Sequence, residues 1–266
     1  MSFFQGTWAL VTGASSGLGE EAAVQLAAMG AHVIVTARSE DKLVALAARL
    51  SAAHGVQARA IAADLSTGAG LAKLCAEVDA LGVDVDHVIA NAGFGTWGTF
   101  AEQTTESQTE MVRLNCESVV GVVHHFVPRM IARRRGGVML VASTASFQPT
   151  PTYAVYGASK AFVRSFGEAL AEELRGTGVK VSVLCPGPVP TGFQDRAGTR
   201  IAPSQKRQVL SAEETMRRGL AAYEAGRVVF VPGAMNRLGA LAATALPNAL
   251  VVPAVGRMMR GKKPSA

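Results

Sequence analysis

Three side chains in the middle of the chain, Ser143, Tyr156 and Lys160, have the types and spacing of a proton-transfer site. Tyr156 and Lys160 stand four positions apart, so a helix places both on one face. A phenol titrates near 10 and is a poor base at neutral pH unless its anion is favoured. An ammonium about 4 Å away contributes roughly 4 kcal/mol at an effective dielectric of about 20, and about 1.4 kcal/mol moves a pKa by one unit. The pair is therefore expected to bring the Tyr156 phenol down toward neutrality. Tyr156 would then be the general acid for carbonyl reduction, or the base for alcohol oxidation, while the Ser143 hydroxyl holds the oxygen on which charge develops. Taken alone, the Tyr/Lys spacing also fits an ordinary pair on the surface of an amphipathic helix.

The elements that must position these groups are legible from the N-terminus onward. Residues 7–18 run from an apolar strand pattern into a glycine-rich turn, and the helical run 19–29 follows. Gly13, Gly17 and Gly19 let the backbone turn tightly and approach a pyrophosphate, which exposed N–H groups and the helix dipole favour. Further strand-like runs at 9–12, 32–36, 57–62, 87–90, 138–142, 180–184 and 228–231 alternate with helical segments. That alternation predicts an α/β fold, a Rossmann-like doubly wound parallel sheet of about seven strands. With 266 residues, 49% of them hydrophobic, and no Pro/Ser-rich linker, one domain over 1–233 is expected, followed by an extension over 234–266 that is apolar and then basic.

The second strand supplies the cofactor argument. It ends in Ala37 and Arg38, where an NAD-binding protein would place an acid for the ribose 2′-hydroxyl. A guanidinium there offers a phosphate a bidentate, charge-assisted partner, so NADP(H) is favoured over NAD. Ser39 adds a hydroxyl, and Glu40 and Asp41 are expected to cap the helix 42–53.

Six motifs occur in order across roughly residues 5–232: TGASSGLG from Thr12 to Gly19, NAG from Asn91 to Gly93, Asn115 within LNCES, Ser143, YGASK from Tyr156 to Lys160, and PGPVPT from Pro186 to Thr191. With these the chain resembles the classical short-chain dehydrogenases/reductases. The resemblance implies a catalytic tetrad of Asn115, Ser143, Tyr156 and Lys160. In it Lys160 also bonds the nicotinamide ribose and Asn115 positions a water in a proton relay. It further implies cofactor contacts from Gly13, Ser15, Ser16, Gly17, Leu18 and Gly19, from Asn91, Ala92 and Gly93, and from Pro186, Gly187, Val189 and Thr191, the last to the nicotinamide carboxamide. Asp64 and Leu65 would contact the adenine, although Asp64 equally fits a cap on the next helix. A homodimer or homotetramer is implied as well. A catalytically idle dinucleotide sensor is the alternative; it would be marked by a broken tetrad, and this tetrad is intact. A sugar-nucleotide epimerase would want a larger C-terminal domain.

The formal net charge of +6 does not point to nucleic acid, because the cations form no stripe interleaved with exposed aromatics. Arg133, Arg134 and Arg135 are expected to end the long helix containing Asn115, where they complement its dipole. Cys75, Cys116 and Cys185 are widely spaced, without metal-ligand spacing, and read as small buried residues. His124 and His125 adjoin and cannot share a helix face, so no metal site is expected.

Residues 238–256 carry no charge, but Pro247, Asn248 and Pro253 interrupt them and argue against a spanning helix. Two readings stay open: an arm packed over the substrate pocket or a neighbouring subunit, and an interfacial anchor whose trailing cations, Arg257, Arg260, Lys262 and Lys263, meet anionic lipid. No signal peptide is read at the N-terminus, so a cytoplasmic address is the default, with membrane association as the second possibility. The substrate should be a small apolar or aromatic carbonyl compound or alcohol, met by Phe94, Trp97, Phe147 and Phe193 beyond the strand ends. Residues 188–210 are expected to form a mobile lid.

Overall fold

Seven short runs of apolar and β-branched residues become seven parallel strands. A computed structural model describes residues 3–201 and 209–260. The strands are β1 (Trp8–Thr12), β2 (His32–Ala37), β3 (Ala58–Ala62), β4 (Val85–Ala90), β5 (Gly136–Val141), β6 (Val179–Leu184) and β7 (Val229–Phe230). They lie in the order β3-β2-β1-β4-β5-β6-β7, each pair parallel. Every residue of β4 and β5 is buried, as expected of strands covered on both faces. The chain moves outward from β1 to β3 and then returns to place β4 on the other side of β1. That reversal opens a crevice beyond the C-terminal ends of β1 and β4.

Among the described residues the helices are α1 (Gly17–Ala28), α2 (Glu40–His54), α3 (Gly68–Ala80), α4 (Thr105–Val112), α5 (Ser118–Ala132), α6 (Ala154–Glu173), α7 (Phe193–Ala197), α8 (Ala212–Glu224), α9 (Ala234–Ala245) and α10 (Asn248–Arg260). The side-chain alternation of the strands divides the core in two. Leu10, Ile34, Val88, Val138 and Leu140 face Leu74 of α3, Phe126 and Met130 of α5 and Val163 of α6. Val11, Val33, Val35 and Ile89 face Leu26 of α1, Leu43 and Leu46 of α2 and Leu220 and Tyr223 of α8.

Two expectations about helices need adjustment. Glu40 and Asp41 lie inside the first turn of α2, and Ser39 is its N-cap. The long helix expected around Asn115 runs without a gap from 105 to 132, but one turn of it, Arg113–Glu117, is π-helical and divides it into α4 and α5. The three arginines after α5 are held by neighbours: Arg133 pairs with Asp84 and Arg135 with Asp86, while Arg134 donates to the Gly176 carbonyl. Residues 234–260 form the helix pair α9 and α10. No described helix is long and apolar enough to cross a membrane.

Candidate active site

The end of β1 is pinned to the end of β4. Thr12 Oγ1 accepts from the N–H groups of Asn91 and Ala92 at 3.0 and 2.9 Å, and Asn91 Nδ2 donates to the Thr12 carbonyl at 3.0 Å. At the glycine turn, Gly17 has φ +60°, and a Cβ there would meet Thr191 at 3.2 Å. A Cβ on Gly19 would lie 2.2 Å from the Gly13 carbonyl oxygen, so this glycine serves the packing of helix on turn. The N-terminus of α1 has Ser16 as its N-cap without a side-chain cap hydrogen bond, unlike α3 and α8, which Thr67 and Ser211 cap. Its first-turn N–H groups are therefore available to an anion.

From this turn a cavity of about 520 Å³ runs across the strand ends to the C-terminal helices. Gly13, Ser15, Ser16, Gly17 and Leu18 line one end with Arg38, Ser39, Asp64, Leu65 and the backbone of Asn91, Ala92 and Gly93. The guanidinium of Arg38 is half exposed and lies 3.5 Å from the Glu110 carboxylate of α4. Asp64 Oδ1 accepts from the Ser66 N–H and hydroxyl at 3.0 and 2.8 Å. Burial opposes its ionisation, but those hydrogen bonds, with the charges of Arg38 and Arg196, hold the carboxyl below its ordinary value. The N-cap of α3 is Thr67, so Asp64 shapes the turn before that helix.

Tyr156 and Lys160 project from α6 into the middle of the cavity beside Ser143, and Pro186, Gly187, Val189 and Thr191 close it from the β6 side. Ser143 follows β5; its Oγ accepts the Ala145 N–H at 3.1 Å, and its hydroxyl favours ionisation of the neighbouring Tyr156 phenol. Lys160 is buried, donates to the Val141 carbonyl at 2.8 Å, and stands 5.9 Å from the centre of the Tyr156 ring. The expected fall of the phenol toward neutrality does not appear here. Burial pushes Tyr156 up to about 12, against the pull of Ser143, and pushes Lys160 down to about 8. Desolvation by the surrounding protein outweighs the pull of Ser143 on the half-buried Tyr156, and Lys160 is buried outright. The phenol is thus held in its protonated form.

Asn115 is fully buried in the π turn and lies behind the cavity wall. Its Oδ1 accepts the Phe94 N–H at 3.1 Å, and its Nδ2 donates to the Phe94 carbonyl and to Ser159 Oγ, both at 2.9 Å. Ser159 in turn donates to the Tyr156 carbonyl at 2.7 Å. One amide thereby ties the loop after β4 to the turn of α6 that carries Tyr156.

Of the four aromatics expected around a substrate, Phe193 lines the cavity and stacks at a tilt against Tyr156, with ring centres 5.5 Å apart. Trp97 stands behind it, its backbone N–H bonded to the Ala197 carbonyl at 2.9 Å and its indole to the Met259 carbonyl at 3.3 Å. Phe94 is buried beneath the Arg196 guanidinium. Phe147 packs on the core under Arg164. The apolar wall comes instead from Tyr153 and from the inner faces of α9 and α10: Met235, Ala240, Ala243, Val255, Met258 and Met259. Residues 202–208 of the expected lid lie outside the described residues; the described part contains the short helix α7, which packs on Trp97.

The family described as short chain dehydrogenase matches residues 7–201 of the chain. The very-long-chain 3-oxoacyl-CoA reductase of Phaeosphaeria nodorum is 38% identical over 189 residues, covering 68% of this chain and 54% of that protein. The chain thus spans about half the length of that curated relative. Among solved structures, a short-chain dehydrogenase from Sphingobium yanoikuyae in complex with NADPH superposes with a TM-score of 0.81 at 29% identity, covering 92% of this chain and 95% of that one. The bulky-bulky ketone specific alcohol dehydrogenase from Comamonas testosteroni gives 0.76 at 26% identity, covering 98% and 96%.

Proposed function

Because the chain belongs to the short chain dehydrogenase family, we propose that it is an NADP(H)-dependent oxidoreductase interconverting a ketone and a secondary alcohol on a bulky apolar molecule. The observation that carries this reading is the half-buried Tyr156 phenol, beside Ser143 and midway along one cavity that has phosphate-binding features at one end and a methionine-rich wall at the other. The residues fit the dinucleotide: the uncapped N-terminus of α1 suits the pyrophosphate, and Arg38 with Ser39 suits a 2′-phosphate. What a bound NADPH supplies is the hydride.

The protein's own groups do the rest. The Ser143 hydroxyl lines the cavity beside Tyr156; with its Oγ accepting the Ala145 N–H, its O–H can donate to the substrate oxygen. Tyr156, kept protonated by burial, donates its proton to that oxygen as it becomes an alkoxide. Lys160 anchors the base of the site through Val141 and compensates the phenolate that Tyr156 leaves behind. Asn115 acts as a positioning residue through Phe94 and Ser159. The wall of α9 and α10 excludes water and takes up the apolar body of the substrate, with the unbranched side chains of Met235, Met258 and Met259 adapting to its shape. The likeness to a bulky-ketone enzyme over nearly the whole chain supports that substrate class.

The test is NADPH oxidation, followed by absorbance, with a panel of bulky apolar ketones and long-chain 3-oxoacyl thioesters. Turnover of at least one class is expected, with Tyr156→Phe slowing it by at least about 100-fold while NADPH still binds. Tight NADPH binding without turnover of any carbonyl, or an active Tyr156→Phe variant, would overturn the assignment.

A further inference from the structure

The helix pair α9 and α10 has two faces, and the cavity accounts for only one. Asn236, Ala240 and Ala243 of α9 and Val255 and Met259 of α10 turn inward to line the cavity. On the other side Leu238, Leu241, Leu246 and Leu250 are 61, 60, 51 and 63% exposed. Leu238 and Leu241 are three apart on α9, with Ala242 and Ala245 continuing the same exposed stripe. Four exposed leucines within 13 residues, two of them on one face of α9, make a surface suited to something other than water.

Charge identifies what. From residue 225 to the end there is no Asp or Glu, whereas Arg227, Arg237, Arg257, Arg260, Lys262 and Lys263 are present. The whole formal charge of +6 therefore belongs to this terminal stretch, because the rest of the chain holds 20 carboxylates against an equal number of cations. Arg237, Arg257 and Arg260 are exposed on the two helices that carry the leucines; Lys262 and Lys263 lie outside the described residues. A second copy docking face to face would bring two such cationic stretches together, which like-charge repulsion disfavours. An anionic surface with an apolar layer beneath complements both features at once.

We propose that the outward face of α9 and α10 docks on the surface of a bilayer containing anionic phospholipid, with the leucines entering the interface and the arginines meeting the headgroups. The two helices lie along the interface and do not span it.

Vesicle sedimentation of the full chain tests this directly. The protein should pellet with vesicles of phosphatidylcholine and phosphatidylserine, pellet far less with phosphatidylcholine alone, and be released as salt screens the headgroups. Leu238→Glu with Leu241→Glu should weaken pelleting by at least about tenfold with unchanged thermal unfolding. Arg257→Glu with Arg260→Glu should remove the preference for phosphatidylserine and leave the fold intact. A full chain that stays in the supernatant with phosphatidylserine vesicles at low salt overturns the proposal. So does a leucine double variant that pellets like the parent. An oligomer that the leucine variant splits into monomers, without any vesicle binding by the parent, would assign the face to a second copy instead.

Discussion

Lys160 is held where a positive charge is disfavoured. Its fall from 10.5 to about 8 through burial corresponds to roughly 3 kcal/mol against the folded state at neutral pH. Because the folded pKa is the lower one, this penalty is fully present below pH 8 and fades as pH rises from about 8 to 10.5. Lys160→Met is therefore expected to unfold at higher urea concentration than the parent at pH 7, by about 1–2 kcal/mol after loss of the bond to Val141. That advantage should shrink as the titration proceeds toward pH 10, and turnover should be lost. Arg38 is the complementary case, a half-exposed cation that lines the cavity and lies 3.5 Å from Glu110. Arg38→Ala should weaken NADPH binding by about 10–100-fold and leave NADH binding nearly unchanged, as measured by titration of each dinucleotide. Both residues could be named from the chain because their chemistry is local: one follows a strand and the other stands one turn from a tyrosine. Glu110 could not, since only the fold brings α4 to the end of β2.

Among the elements, the π turn between α4 and α5 had no signature in the sequence. LNCES reads as ordinary helix, and a single extra residue per turn changes no periodicity that a pattern can register. Its consequence is that the Asn115 side chain bonds Phe94 and Ser159 and so fixes the height of Tyr156. Asn115→Ala should cost roughly 1–3 kcal/mol in urea unfolding, because the Phe94 amide and carbonyl lose buried partners. It should also lower kcat more than it raises KM for the ketone, since the damage falls on alignment and not on the apolar wall. The strands were far easier to read: each is a short, mostly apolar run, and burial on both faces keeps polar residues few even in β4, where only Asp86 and His87 interrupt it.

In the whole molecule, the substrate end of the cavity is closed by helices that follow the last strand. The aromatics Phe94, Trp97 and Phe147 were natural candidates because they adjoin motif residues in sequence, but nearness along the chain is not nearness to the cavity. The contact that docks α9 is long-range: a side chain on Gly187 would collide with Asn236, its Cβ 2.4 Å from Oδ1. The useful signal was the stretch 238–256 without charge, whose inner half the cavity explains. Ala243→Phe, which projects into that wall, should reduce kcat/KM for bulky ketones by at least about tenfold while sparing NADPH affinity, as competition between a bulky and a small ketone would reveal.

Trp97 gives the site its own optical reporter. It is one of two tryptophans in the chain, and its hydrogen bonds reach α7 through Ala197 and α10 through Met259. The other, Trp8, is fixed in β1, tilted against His32 at 5.0 Å. A molecule entering or leaving between α7 and α10 must disturb the indole of Trp97 and leave that of Trp8 unaltered. Stopped-flow emission from a Trp8→Phe variant should therefore time the opening of the cavity from a single intrinsic fluorophore, with no label attached.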